Sequence, residues 1–216
     1  SVEVTIDNFN KETLHFTNFI LRCFILFSLF SSGLLIYDII ETSLFRGIAM
    51  IETIYFGTYT RRLSQGIYQA DFDTETGKLS NLKLFAAEPS PTYLAFDQEN
   101  HLYTVGSKDG QGGIAAYQTD GTLLNHVVTE GAPHCYVAVD EKRSLVYGAN
   151  YHKGQILVYK RKEDGSLELA DTVQHSGHGP HENQASPHVH FTDLTPDQYL
   201  VTCDLGTDEV ITYDVD

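Results

Sequence analysis

Between Gly177 and His190 the chain gathers four histidines, His178, His181, His188 and His190, with Glu182, Asn183 and Gln184 among them. Imidazole changes protonation near neutral pH, so a cluster this dense is suited to moving protons. His188 and His190 stand two apart in a segment that reads as a strand, which would turn both rings to one face. Glu182 could orient one of those rings or act as a base itself. Gln184 and Asn150 are neutral hydrogen-bond donors. A zinc site is the rival reading, with His188 and His190 joined by His178, His181 or Glu182. The spacing matches no strong zinc template, and the expectation is acid–base chemistry with no metal and no cofactor. His175, His178 and His181 read as decoration on a solvated glycine-rich loop, and His134 and His152 as loop or core histidines.

The cluster interrupts a pattern that runs from Met50 onward. Strands end in an aromatic-and-glycine step at Tyr55–Tyr59, Tyr103–Gly106, Tyr147–Tyr151 and Val201–Gly206. New strands follow at Gly66–Tyr68, Gly113–Tyr117, Gln155–Tyr159 and Glu209–Tyr213, then Asp/Gly turns at Asp73–Gly77, Thr119–Gly121 and Glu163–Gly165. Proline-led strands at Pro91, Pro133 and Pro187 close each unit. The tyrosines at 68, 117, 159 and 213 are spaced by 49, 42 and 54 residues. A period in the forties with about four short strands per unit is the mark of a β-propeller blade. A β-sandwich would string strands between turns equally well but has no reason to repeat its landmarks in order. The fold class is therefore all-β, with Tyr68, Tyr117 and Tyr159 expected in equivalent places. A cluster inserted into such a scaffold is where function usually sits.

Composition bounds the partners. A formal charge of −15 over 216 residues argues against nucleic acid and anionic membrane surfaces, both of which call for basic patches. Cys23, Cys135 and Cys203 form neither a disulfide framework nor a CxxC metal motif, which fits a cytoplasmic protein.

Residues 1–49 read differently. They carry seven of the twelve phenylalanines and an apolar run from Phe19 to Tyr37. Only fifteen uncharged residues separate Arg22 from Asp38, short of the ~20 that a spanning helix needs. Arg46-Gly47 can be encoded AGAGGA, a ribosome-binding sequence at a suitable distance from Met50, the sole methionine. Residues 1–49 are thus expected to be upstream sequence read in frame, or an apolar leader, outside the fold. Residues 50–216 then form the N-terminal part of a β-propeller domain of about three blades. Propellers close with about four to eight, so residues 50–216 alone are expected to be poorly soluble, with apolar faces and a strand edge uncovered.

From Met50 on, the chain resembles the seven-bladed lactonase family, which includes bacterial propeller-type 6-phosphogluconolactonases and fungal muconate-lactonising cyclases. The resemblance is carried by Phe56–Thr60 with Gly66–Tyr68, Asp109–Tyr117, Ala149–Gly154, Gly179–Gln184, Pro187–His190 and Asp204–Asp208. It implies about three blades of an expected seven and a small-molecule lactone as partner. The implied reaction is hydrolysis of 6-phosphogluconolactone to 6-phosphogluconate by activated water. That chemistry needs a base for water, a donor to the carbonyl oxygen and an acid for the leaving alkoxide. His188, His190 and Glu182 are the catalytic candidates. Gln184, Asn183, His181, Asn150, Tyr151, Tyr59 and Arg61 are the substrate-binding ones, although Tyr59 and Tyr151 also suit blade packing. Arg62, Lys108 and Lys153 are further cations at strand ends. Two departures stand out: Asn183 occupies a position usually arginine in the family, and Pro133-His134-Cys135 reverses the usual Cys-His order. The same resemblance permits a muconate-type cycloisomerase, and a propeller can also be a binding module without catalysis.

Overall fold

A computed structural model describes residues 50–215, and the expectations for residues 1–49 fall outside the described residues. Strands β1 (Ile51–Phe56), β2 (Gly66–Asp73) and β3 (Lys78–Ala87) form one antiparallel sheet. The second is β4 (Leu94–Phe96), β5 (Leu102–Lys108), β6 (Gln111–Tyr117) and β7 (Leu123–Thr129). The third is β8 (Tyr136–Asp140), β9 (Leu145–Asn150), β10 (Gln155–Arg161) and β11 (Leu167–Gln174). The last is β12 (Val189–Leu194), β13 (Leu200–Asp204) and β14 (Glu209–Tyr213). Each sheet pairs its strands in chain order, as a propeller blade does. The described residues thus hold two four-stranded blades flanked by two three-stranded ones. No helix among them is long and apolar enough to cross a membrane.

Burial explains the strand chemistry. The central strands β5, β6 and β9 are buried almost throughout, and β10 buries Ile156, Leu157 and Tyr159, because a blade's middle is covered on both faces by its neighbours. Tyr103, Val105, Ile114 and Ala116 of the second sheet pack with Val137, Val146, Leu157 and Tyr159 of the third. Ala138, Tyr147, Ala149 and Ile156 pack in turn with Val189 and Leu200 of the last. The cores therefore lie between sheets. First strands β4, β8 and β12 are neighbours, as are the outer strands β7 and β11. Most of β3 and β11 is exposed.

Two expectations about the repeat need correction. The proline-led segments open sheets instead of closing them, since β4, β8 and β12 pair with the next strand in the chain. Tyr68 is not equivalent to the later tyrosines. It sits near the start of β2, opposite Phe56, and accepts the N–H of Gln65. Tyr117, Tyr159 and Tyr213 sit toward the far ends of β6, β10 and β14, opposite Leu102, Val146 and Leu200.

Those three share a device. A residue on the crossover that leaves one sheet reaches forward to the tyrosine of the next. Glu88 accepts the hydroxyl proton of Tyr117, His134 Nε2 lies 2.6 Å from the Tyr159 hydroxyl, and His175 Nε2 lies 2.9 Å from that of Tyr213. Glu88, His134 and His175 are all buried. They latch each blade to its successor.

Candidate active site

Because consecutive strands run antiparallel, every second connection falls at the same end of the sheets. The β1–β2, β3–β4, β5–β6, β7–β8, β9–β10, β11–β12 and β13–β14 connections all lie there. Every candidate residue named from the sequence is on this end, in a connection or within two residues of one. The longest of these connections joins β11 to β12 and contains a 3-10 turn, Glu182–Gln184.

His188 is the most constrained of them. It lies just before β12, with its backbone N–H donated to Asp204 Oδ1 at 2.7 Å and its carbonyl accepting Leu205 N–H at 3.0 Å. The imidazole stacks on Tyr151 with ring centroids 4.4 Å apart and planes 12° from parallel. Its Nδ1 is 3.1 Å from the Tyr151 carbonyl oxygen. A carbonyl can only accept, so Nδ1 carries the proton in that bond, and Nε2 keeps its lone pair. His190 meets the same tyrosine edge-on at 6.0 Å. A register shift between Val189 and Phe191 places a bulge at His190, which leaves its side chain exposed. The two histidines therefore meet on one tyrosine ring, instead of through plain strand alternation.

The remaining candidates divide by what their polar atoms already do. Asn150 is buried. Its Oδ1 accepts Lys153 N–H, and its Nδ2 donates to the Ala132 carbonyl and lies 3.4 Å from His134 Nδ1. Its amide is committed to holding the turn that presents Tyr151. Gln184 is committed in the same way: Oε1 accepts His181 N–H, and Nε2 donates to the Leu205 carbonyl and to Asp208. It staples the long connection to the β13–β14 turn. His181 caps the 3-10 turn by accepting Asn183 N–H at Nδ1, so its Nε2 is the proton-bearing nitrogen in that bond. Glu182 and Asn183 have exposed side chains on that turn, and no hydrogen bond or ion pair among the described residues joins Glu182 to His188 or His190. Tyr59 and Arg61 form a separate exposed pair on the β1–β2 connection, the guanidinium 5.0 Å from the ring centroid.

Two buried residues went unrecognised in the sequence. His175 is not on a solvated loop: it is buried, with Nδ1 2.7 Å from Asp204 Oδ2. Asp204 is buried too, and its Oδ1 also accepts Gly206 N–H at 2.8 Å. The available signal was the repeat itself, since Asn150 and Asp204 both end the second strand of a blade and both hold the next turn. Cys135 lies 3.5 Å from the Ala149 carbonyl and 3.6 Å from those of Val189 and His190. Burial pushes its thiol up to about 11, which keeps it protonated and a poor nucleophile near neutral pH. No group of three or more His, Cys, Asp or Glu among the described residues is arranged to hold a metal ion.

Comparison with known proteins places this geometry in context. Residues 53–216 match the family model described as "Lactonase, 7-bladed beta-propeller". The 6-phosphogluconolactonase of Bacillus subtilis is 45% identical over 167 residues, covering 74% of this chain and 48% of that protein. A protein of Lactobacillus plantarum with a crystal structure is 55% identical, with a TM-score of 0.75 over 77% of this chain and 50% of its own. The periplasmic gluconolactonase of Pseudomonas aeruginosa is 28% identical, with a TM-score of 0.69 over 76% and 50%. The chain spans about half the length of the curated relatives it matches.

Proposed function

Because the chain belongs to the lactonase family of seven-bladed β-propellers, we propose that it acts in the hydrolysis of a sugar lactone. The substrate proposed is 6-phosphogluconolactone, opened to 6-phosphogluconate. The single observation that carries this reading is His188, which is fixed by its backbone, its ring stack and its Nδ1–H while Nε2 stays available. A base for water activation needs that combination of fixed geometry and a free lone pair.

In the proposed reaction His188 Nε2 removes a proton from water, and the oxygen attacks the lactone carbonyl carbon. The resulting oxyanion collapses with cleavage of the bond from that carbon to the ring oxygen. The alkoxide then takes a proton from His190 or from the His188 imidazolium, giving the hydroxy acid. The proton-bearing Nε2 of His181 is a donor for the oxyanion, and Glu182, on the same turn, is the carboxylate that would orient an imidazole or share the work of the base. Arg61, beside Tyr59 at the same end, is the cation offered to a phosphate. The name of the Bacillus subtilis relative supports this substrate class.

The test follows lactone opening by pH-stat, with spontaneous hydrolysis subtracted, in protein expressed from its native locus. His188→Ala should lower the rate by roughly 10²–10⁴-fold, with His190→Ala and Glu182→Gln measured beside it. Asn183→Arg, which restores the family's usual cation, should lower KM for the phosphorylated lactone. Unchanged rates in all three cluster variants would remove the cluster from the mechanism.

A further inference from the structure

Asp204 ends β13 with its side chain wholly buried beside an almost wholly buried His175. Its two oxygens do different work. Oδ1 accepts the backbone N–H of His188 at 2.7 Å and of Gly206 at 2.8 Å. Oδ2 takes His175 Nδ1–H at 2.7 Å, and the far side of that ring meets the Tyr213 hydroxyl at 2.9 Å. His175 also donates its backbone N–H to the Gly154 carbonyl at 3.0 Å, within the turn that presents Tyr151. The unit of Asp204 and His175 therefore underlies both supports of His188, its own backbone and the turn carrying the ring it stacks on.

Holding a turn does not by itself call for a buried carboxylate. Asn150, at the matching strand end of the preceding blade, holds its turn with a neutral amide. A buried carboxylate is costly unless hydrogen bonds surround it. Those around Asp204 come from the His188 backbone, from Gly206 in the following turn and from His175, so the carboxylate ties the His188 segment to both. We propose that Asp204, with His175, is a positioning residue that sets the orientation of His188. This rests on the reading of His188 as the base.

The experiment compares Asp204→Asn, Asp204→Ala and Asp140→Asn in protein expressed from its native locus. Each is scored by kcat and KM and by the ¹⁵N–¹H correlations of the His188 ring, which report its tautomer. Asp140 is the matched control, a buried aspartate at the opposite end of a sheet that holds Arg143 and Tyr147. Asp204→Ala should lower kcat about 10²-fold, as expected for a misplaced catalytic group. KM should stay within about twofold, and the Nδ1–H signature of His188 should be lost. Asp204→Asn, which can keep an acceptor for His188 N–H, should recover part of kcat, whereas Asp140→Asn should lower stability alone. Combined with His188→Ala, the Asp204 change should add no further loss.

Wild-type kcat and an unmoved His188 resonance in folded Asp204→Ala would overturn the proposal, as would additive losses in the double variant. If His188→Ala proves silent, the base assignment fails, and the His188 resonance alone then decides whether Asp204 positions it. Should the Asp204 variants not fold, His175→Gln and Tyr213→Phe carry the same readouts.

Discussion

At the scale of single residues, the site depends on how one imidazole is held. His188 is bonded to the carbonyl of Tyr151, a backbone group, while the Tyr151 ring supplies the stack. The two supports can be separated by mutation. Tyr151→Phe keeps both and should leave kcat near wild type. Tyr151→Ala removes the stack and should lower kcat by roughly 10–10²-fold, because small displacements of a catalytic group are expensive. Steady-state kinetics on the two variants checks this, and equal losses would instead make the phenolic hydroxyl the important group. Little of this was legible beforehand. The histidine cluster was visible as a density of imidazoles, but the burial of His175 depends on a carboxylate 29 residues further on. Asn150 and Gln184 read as ligand donors because a sequence shows an amide's capacity and not its commitments.

At the scale of elements, the β11–β12 connection and the β13–β14 turn form one packed unit. Gly206 is the point of closest approach. A Cβ there would stand 1.9 Å from the Ser186 carbonyl oxygen and 2.8 Å from His188 N, so any side chain must push the 186–188 segment away. Gly206→Ala is expected to cost about 1–3 kcal/mol of stability, the usual range for overpacking, and to lower kcat as His188 moves. Urea unfolding beside the kinetic assay measures both, and a stability loss with unchanged kcat would uncouple the turn from the site. The strands themselves were largely legible, because β-rich repeats with Asp-Gly turns have a period that composition cannot imitate. Two element-level features were not. The exposed strands β3 and β11 carry none of the glycine, proline or tyrosine landmarks by which the repeat is read, so a search for those landmarks passes over them. The proline-led strands were assigned to the wrong blade because periodicity gives spacing but not the point at which a unit begins, which only hydrogen-bond pairing decides.

At the scale of the whole described unit, stability rests on the contacts between blades. His134 is the crossover residue most exposed to pH. Burial, assisted by the charge of Lys153, pushes its imidazole down to about 3 from an ordinary value of 6.5. The native state thus disfavours the proton that the unfolded chain accepts below about pH 6.5. The stabilising contribution is complete above that pH and is lost progressively toward pH 3, at a slope approaching 1.4 kcal/mol per pH unit. Denaturant titrations at pH 7, 6 and 5 should show this fall. His134→Gln should flatten it while lowering stability at pH 7, and an unchanged slope would place the titrating group elsewhere.

The latches have a direction. Glu88, His134 and His175 each come after an outermost strand, and each reaches ahead to the tyrosine of the blade that is next in the chain. A blade newly emerging from the ribosome would meet its anchoring group already in place on the blade before it. Docking could then proceed one neighbour at a time, without waiting for any distant segment. Arrays of nearest-neighbour units propagate order in this way. In such a ratchet, damage to one latch would stall the docking of later blades and spare the earlier ones.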